Sequence, residues 1–331
     1  MVDAAHEHPV GGRQAGVGEV GKKAGTVALI GRPNSGKSTL MNHLLQEKVA
    51  IVSDKPQTTR HRLIGILNEA RGQIVFHDTP GIHKPLHRMN RQMVNLAVDA
   101  LNGADVVCLL VDASTGHGSG ESHLIDMVLK SSSPKVVVLN KIDLVNKGKL
   151  LPRMELYGQP DGERTGDLEE PRTFDEIVPI SAATGDGTDL LLDILFRLLP
   201  EGEPLYDPQT LTLHPDRFLV AERIREKVLA NTRDELPFTT AVMLDAWEEP
   251  GPGLVRIYAS ILVERSGQKK ILIGKRGSMI KKIGTEARKD LEQLLGRRVY
   301  LDLQVKHEPN WRENRRILGE LDRDLWGRMD D

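Results

Sequence analysis

The sequence predicts an α/β domain, built on a mostly parallel sheet with helices on both faces, followed by a smaller α+β domain. Three observations carry this. Short apolar runs alternate with helical patterns from Thr26 to Leu199, the pattern of a parallel sheet with crossover helices. The first apolar run enters a glycine-rich loop that opens the first helical pattern. At Leu199-Pro200-Glu201-Gly202-Glu203-Pro204 the alternation stops in Pro, Gly and charge, as at a domain boundary. A chain of 331 residues is also too long for one ordinary core. The expected units are a mobile tail at 1–24, a first domain at 25–200, a linker at 201–212 and a second domain with its tail at 213–331.

In the first domain the apolar runs at 26–30, 73–77, 106–111, 136–139 and 177–180 read as strands. The patterns at 38–45, 88–101, 121–129 and 190–199 read as helices. Residues 158–172 form a polar, Gly- and Pro-rich surface insertion with no assignable chemistry. The second domain begins with a helix at 216–229, then two strands, 239–248 and 254–264, around the turn sequence Glu249-Pro250-Gly251-Pro252-Gly253. An apolar run at 270–273, a glycine turn, a helix through 288–295 and a strand at 299–305 follow.

The composition is globular, with 39% hydrophobic and 28% charged residues, so a packed core is expected. A formal net charge of −2 leaves room for a nucleic-acid partner if charge is unevenly spread. The single cysteine, Cys108, can form neither an internal disulfide nor a cysteine metal site; as a buried strand residue it fits a reducing cytoplasm. No run approaches the roughly 18 apolar residues of a membrane helix, and residues 1–23 lack a signal-peptide core. Gly16-Val17-Gly18-Glu19-Val20-Gly21 matches GxGxxG but follows no strand and opens no helix, so no nucleotide is expected there.

Gly31-Arg32-Pro33-Asn34-Ser35-Gly36-Lys37-Ser38, with Thr39 behind it, fits G-x-x-x-x-G-K-[ST] between a strand and a helix. Glycines let successive N–H groups turn inward around phosphate oxygens, and the helix N-terminus adds its positive end. Lys37 is placed to reach the β- and γ-phosphates and Ser38 to ligate Mg²⁺. His77-Asp78-Thr79-Pro80-Gly81 closes an apolar strand, which puts Asp78 in the Mg²⁺ shell. Asn140-Lys141-Ile142-Asp143 closes another. A carboxylate there accepts from guanine N1–H and the exocyclic amine, whereas adenine leaves it unpartnered. Ser181-Ala182-Ala183 follows the next strand and offers backbone N–H to guanine O6. Four motifs in this order, each at a strand end, specify GTP or GDP with Mg²⁺.

In the second domain Ile271-Leu272-Ile273-Gly274-Lys275-Arg276-Gly277-Ser278-Met279-Ile280 has the shape of a KH module, a G-x-x-G turn opening a helix. Between residues 265 and 289 nine basic side chains face one acid, Glu286, a local charge suited to phosphates. Single-stranded DNA would satisfy these charges as well as RNA.

The four nucleotide motifs resemble those of the translation-factor-related GTPases. Gln57-Thr58-Thr59-Arg60-His61-Arg62, together with the stretch Ile271 to Glu292, resembles the Era family of bacterial ribosome-assembly GTPases. The likeness runs from about 26 to 321 and omits the tail and the insertion. It implies a P-loop GTPase domain followed by a type II KH domain. It implies RNA, the 3′ end of 16S rRNA in the 30S subunit, held by Ile273, Gly274, Lys275, Arg276, Gly277, Ile280, Lys281 and Lys282. It makes Thr59 the switch threonine on Mg²⁺ and γ-phosphate, although the residues alone do not choose between Thr58 and Thr59. Lys37, Thr59 and Gly81 are then the catalytic set. Ras-like enzymes place a water-orienting Gln just after the DTxG glycine; here Ile82 stands there, and His83 next to it reads as a solvated loop residue. Asn34 is either a ligand for a K⁺ ion that replaces an arginine finger, as in relatives, or a loop-shaping residue. Trp311, in His307-Glu308-Pro309-Asn310-Trp311, reads as packing. A monomeric cytoplasmic switch is expected, with peripheral contact at the inner membrane face as an added possibility. Two rival readings are an RNA-binding module with GTP as a static ligand and a membrane-associated GTPase whose basic patch meets lipid headgroups.

Overall fold

The computed structural model describes residues 21–82, 87–116, 118–158 and 173–326. The GxGxxG pattern short of its last glycine, His83 and the insertion at 159–172 lie outside them. The first sheet has the order β2-β3-β1-β4-β5-β6. Its strands are β1 (Lys23–Gly31), β2 (Leu63–Glu69), β3 (Gly72–Asp78), β4 (Val106–Asp112), β5 (Lys135–Asn140) and β6 (Glu176–Pro179). All neighbours are parallel except β2 and β3. Alternate residues of β1 face the two cores: Val27 and Leu29 enter one, Ala28 and Ile30 the other. Helices α1 (Lys37–Leu45) and α5 (Thr188–Leu198) cover the first face. Helices α2 (Arg88–Asn102), α3 (Ser119–Leu129) and α4 (Leu150–Gly158) cover the second. Cys108 is fully buried in β4, and burial pushes its thiol up to about 12, so it packs as a small apolar group.

Several elements depart from the sequence reading, among them the helices at Leu150–Gly158 and Arg315–Trp326, β2 and the 201–212 segment. β2 was not anticipated, because Gly65 interrupts its apolar run. A Cβ there would lie 2.6 Å from Leu45 of α1, so glycine lets helix and strand approach. β2 is an edge strand, and 201–212 is no free linker. Ile66 N–H donates to Leu211 O (2.8 Å), Ile64 N–H to His214 Nε2 (3.0 Å), and Thr212 Oγ1 to Ile64 O (2.6 Å). The linker thus covers the exposed edge of the sheet.

The second domain runs α6 (Asp216–Asn231), α7 (Leu236–Thr239), β7 (Thr240–Gly251), β8 (Leu254–Val263), α8 (Ser266–Ile273), α9 (Ser278–Leu295), β9 (Arg298–His307) and α10 (Arg315–Trp326). β7 and β8 are antiparallel; β8 and β9 are parallel. Val220, Ile224, Leu272, Ile283, Ala287 and Leu291 bring α6, α8 and α9 onto one face of this sheet. The run at 270–273 proves to be the last turn of α8. Met89 and Met93 of α2 join Trp311, Ile317 and Leu318 in a cluster that crosses between the domains. Trp311 is fully buried and donates to Thr239 O at 2.9 Å, so it packs and is shut off from any base.

Candidate functional site: a nucleotide cleft and a basic glycine turn

The loop between β1 and α1 curls around empty space because its backbone takes left-handed turns at Asn34 (φ 63°) and Gly36 (φ 97°). Lys37 folds back over it, with Nζ 3.3 Å from Gly31 O and 3.1 Å from Arg32 O. Burial pushes the Lys37 ammonium down to about 8, against the pull of the Asp78 charge. A cavity of about 380 Å³ opens here, lined by Asn34, Lys37, Ser38, Thr39, Thr59 and Gly81 among others.

Three oxygens converge beside Lys37. Ser38 Oγ donates to Asp78 Oδ2 (2.6 Å) and lies 2.9 Å from Thr59 Oγ1, which is 3.4 Å from the same carboxylate oxygen. Asp78 is fully buried, and its Oδ1 has no hydrogen-bond partner. Burial holds its carboxyl above the usual range, opposed by Lys37, Ser38 and Thr59. A hard divalent cation would reverse that burden, and hydroxyl and carboxylate oxygens are the donors Mg²⁺ takes beside phosphate. These residues fit the ion. Thr58 is turned elsewhere: its Oγ1 donates to Lys55 O at 2.6 Å.

Thr79 Oγ1 donates to Leu29 O (2.7 Å), which fixes the Asp78-Thr79-Pro80-Gly81 stretch against β1. A Cβ on Gly81 would sit 2.6 Å from Pro33 N, so only glycine lets this segment close on the phosphate loop. Ile82 N–H donates to Gly31 O (3.3 Å) while its side chain is buried in the α2 face of the core.

On the base side Asn140 works as a brace. Its Nδ2 donates to Ser35 O (2.8 Å), and its Oδ1 accepts from Lys141 N–H (2.8 Å) and Ala182 N–H (2.9 Å). A Cβ on Gly36 would fall 2.2 Å from that Nδ2, which explains glycine there. Ser181 Oγ donates to the exposed Asp143 carboxylate at 2.6 Å. Ser181 N–H is taken by Asp186 O and Ala182 N–H by Asn140. Of the three backbone donors read from the sequence, Ala183 N–H alone is left without an acceptor among the described residues. Lys141 takes a left-handed conformation and binds Asp112 Oδ2 at 2.7 Å.

Sequence reasoning missed two participants. Asp112 lies at the end of β4, where no motif marks it. Asp54 belongs to a loop without pattern, yet its carbonyl accepts from Asn34 Nδ2 at 2.8 Å.

Some way off, α8 ends at Gly274 (φ 72°, ψ 176°), Arg276 is left-handed (φ 52°), and Gly277 (φ 78°) caps α9. The turn closes through Gly277 N–H to Gly274 O at 3.2 Å. Lys275, Arg276, Lys281 and Lys282 are exposed around it, and Ile273 and Ile280 are half-buried beside them. Closely approachable backbone, cationic heads and a partly apolar floor together suit a nucleic-acid strand.

A family model described as a 50S ribosome-binding GTPase matches residues 26–141, and a KH domain model matches residues 235–312. The GTPase Era of Geobacter metallireducens is 47% identical over 300 residues, covering 90% of this chain and 97% of that protein. That of Trichlorobacter lovleyi is 48% identical, with 90% and 97% covered. A crystal structure of an Aquifex aeolicus Era variant bound to GDP and aluminium fluoride superposes with a TM-score of 0.83 at 38% identity, covering 90% of this chain and 98% of that one. A crystal structure of Era with MgGDPNP and nucleotides 1506–1542 of 16S ribosomal RNA gives 0.84 at 38% identity, covering 91% and 98%. At such identity along nearly its whole length, with the nucleotide cleft and the KH turn both in place, the chain is a GTPase and belongs to the Era family.

Proposed function

We propose that this GTPase binds the 3′-terminal segment of 16S rRNA through its KH domain and acts in assembly of the 30S subunit as a GTP-dependent switch. The observation that carries this is the pairing, in one chain, of the oxygen-lined Lys37 cleft with the Gly274–Gly277 turn under exposed lysines and arginines. The relative that holds both MgGDPNP and 16S rRNA supports it. The description of the matching GTPase model names the 50S subunit, but the RNA in that crystal structure belongs to the small one.

In this reading the nucleotide domain spans 25–200 and the KH domain 213–331, with 201–212 strapped between them. Gly31 to Thr39 hold the phosphates. Ser38, Thr59 and Asp78 would hold Mg²⁺, which would supply positive charge to the phosphates. Lys37 and the segment at Gly81 face the γ-phosphate, while Asp143 and Ala183 read guanine. No helix among the described residues is long and apolar enough to cross a membrane. The proposed setting is the cytoplasm, as a monomer, with any membrane contact peripheral.

Asn34 Nδ2 donates to the Asp54 carbonyl at the rim of the phosphate loop, which holds the side chain where its Oδ1 could take a K⁺ ion, adding the charge that an arginine finger supplies elsewhere. Hydrolysis is then expected to run about 10–100-fold faster in potassium than in sodium buffer. Equal rates in the two salts would remove K⁺ from the mechanism.

The function is tested by GTP hydrolysis with and without a 3′-terminal 16S oligonucleotide, for wild type and Gly277→Asp. A Cβ at Gly277 meets nothing within 4 Å, so the carboxylate enters the basic turn without a clash, at the cost of a left-handed backbone (φ 78°) that aspartate tolerates better than most residues. RNA affinity is expected to fall by about tenfold or more. RNA should speed wild type and leave the variant unchanged; alike rates whatever RNA is added would reject the target. Liposome binding that survives Gly277→Asp would support the rival contact with lipid headgroups.

A further inference from the structure

The nucleotide domain and the KH domain meet along α6. Glu222, Arg223, Arg225 and Glu226 of this helix are only 3–8% exposed. They grip the backbone that precedes Thr59. Arg225 Nη2 donates to Thr58 O and Arg223 Nη2 to Lys48 O. Glu226 Oε1 accepts from Val52 N–H at 3.1 Å, and its Oε2 accepts from Lys48 Nζ at 2.7 Å. Glu222 clamps Arg225 through two bonds of 2.7 and 2.6 Å.

Arg60 reaches across from the other side. Its guanidinium donates to Thr240 O (2.6 Å) and Pro237 O (3.0 Å) and lies 5.8 Å from the centre of the Trp311 ring. Thr59, whose hydroxyl meets Ser38 and Asp78, is therefore flanked on both sides by residues bonded to the KH domain. Behind α6 the ties continue into α9, the helix opened by Gly277. Asn231 Nδ2 donates to Glu286 (2.6 Å), and Asp290 pairs with Lys227 (2.7 Å) and Lys48 (3.3 Å).

General adhesion does not require this arrangement. An apolar seam would hold two domains at least as well, because burying ionised groups is costly. Arg225 binds the Thr58 carbonyl, whose position depends on the loop's conformation, and Arg60, itself a residue of that loop, binds the Thr240 and Pro237 carbonyls of the KH domain. If the loop around Thr59 lets go, Arg225 loses its carbonyl inside the seam, and α6 must shift with it. That makes α6 an element whose position both sites bias.

We propose that α6 is the relay between the two sites. Arg60 and Arg225 are positioning residues: Arg225 reads the Thr58 carbonyl before Thr59, Arg60 carries the position of the backbone after it to Thr240 and Pro237, and α6 passes that state to α9 and the Gly274–Gly277 turn. The proposal rests on the reading that nucleotide and RNA binding are coupled. Linkage then requires RNA to tighten the GTP analogue by the same factor as the analogue tightens RNA.

The test uses the full chain. The Kd of the 3′-terminal 16S oligonucleotide is measured without nucleotide, with GDP and with a non-hydrolysable GTP analogue, and the Kd of the analogue with and without RNA. Wild type, Arg60→Lys and Arg225→Lys are compared; both variants keep the charge and lose the forked reach. The wild-type ratio is expected within about 5–150-fold. It should fall toward unity in both variants, while RNA affinity in the GDP state stays near wild type. Variants that keep the wild-type ratio would overturn the relay and leave the proposed function standing. A wild-type ratio of one would instead reject the coupled switch, and the relay with it. Where an arginine variant does not melt cooperatively, Lys48→Met carries the test. That side chain is 42% exposed, and its removal cuts the tie from the loop to Glu226 and Asp290, so the ratio must fall there too.

Discussion

Asp143→Asn is expected to weaken GTP binding by roughly 10²–10⁴-fold and to favour xanthosine triphosphate in its place. The argument is one of donors and acceptors. Guanine presents two donors on one edge, N1–H and the exocyclic amine, and a carboxylate accepts both. A carboxamide accepts one and turns its own N–H₂ toward the other, so a hydrogen bond is lost and two donors are opposed. Each unmet group costs about 1–3 kcal/mol once water is excluded. Xanthine carries a carbonyl where guanine has the amine, and the carboxamide then pairs with both atoms. The fold should not register the change. Asp143 is exposed, and its partner among the described residues, Ser181 Oγ at 2.6 Å, can donate to the amide oxygen as well. Competition between GTP and xanthosine triphosphate for a fluorescent analogue measures the exchange. An unaltered preference for GTP would mean that Asp143 does not read the base.

The readable parts of this chain were those in which a local pattern has one mechanical meaning. Gly31 to Ser38, Asp78 and Asn140 to Asp143 sit at strand ends, where the sequence placed them, because short apolar runs in a parallel sheet leave little choice of register. The glycine turn before α9 was legible for the same reason. What was not legible depends on distant partners. Thr58 and Thr59 are alike as residue types, and only the fold turns one hydroxyl to Asp78 and the other to Lys55 O. β2 was hidden by Gly65, whose missing side chain serves α1 rather than the strand. The burial of the α6 charges was not legible, since nothing local distinguishes an exposed glutamate from Glu226 beneath a loop. Asp112 serves through Lys141, which lies 29 positions away in sequence. Contacts of that range are written in the packing and in no segment alone.

Lys37→Met is expected to lower GTP hydrolysis by on the order of 10²–10³-fold or more while leaving the protein as stable as before, or slightly more so. The two effects share one cause. Lys37 is 5% exposed, and burial brings its ammonium from the ordinary 10.5 to about 8. Holding that charge in the folded protein without nucleotide therefore costs about 3 kcal/mol. Its bonds to the Gly31 and Arg32 carbonyls return about 1 kcal/mol each. Methionine has nearly the same length, fills the same space and carries no charge to desolvate, so stability should hold. Charge developing on the transferring phosphoryl group loses its fixed cation, and a bound Mg²⁺ would have to carry that charge alone. A residue that burdens the empty protein and is rewarded only by substrate is the usual mark of a functional site. Thermal melting without nucleotide and single-turnover hydrolysis, measured on one preparation, separate the two effects. A melting temperature that falls by several degrees would show Lys37 to be structural, and hydrolysis near the wild-type rate would remove it from catalysis.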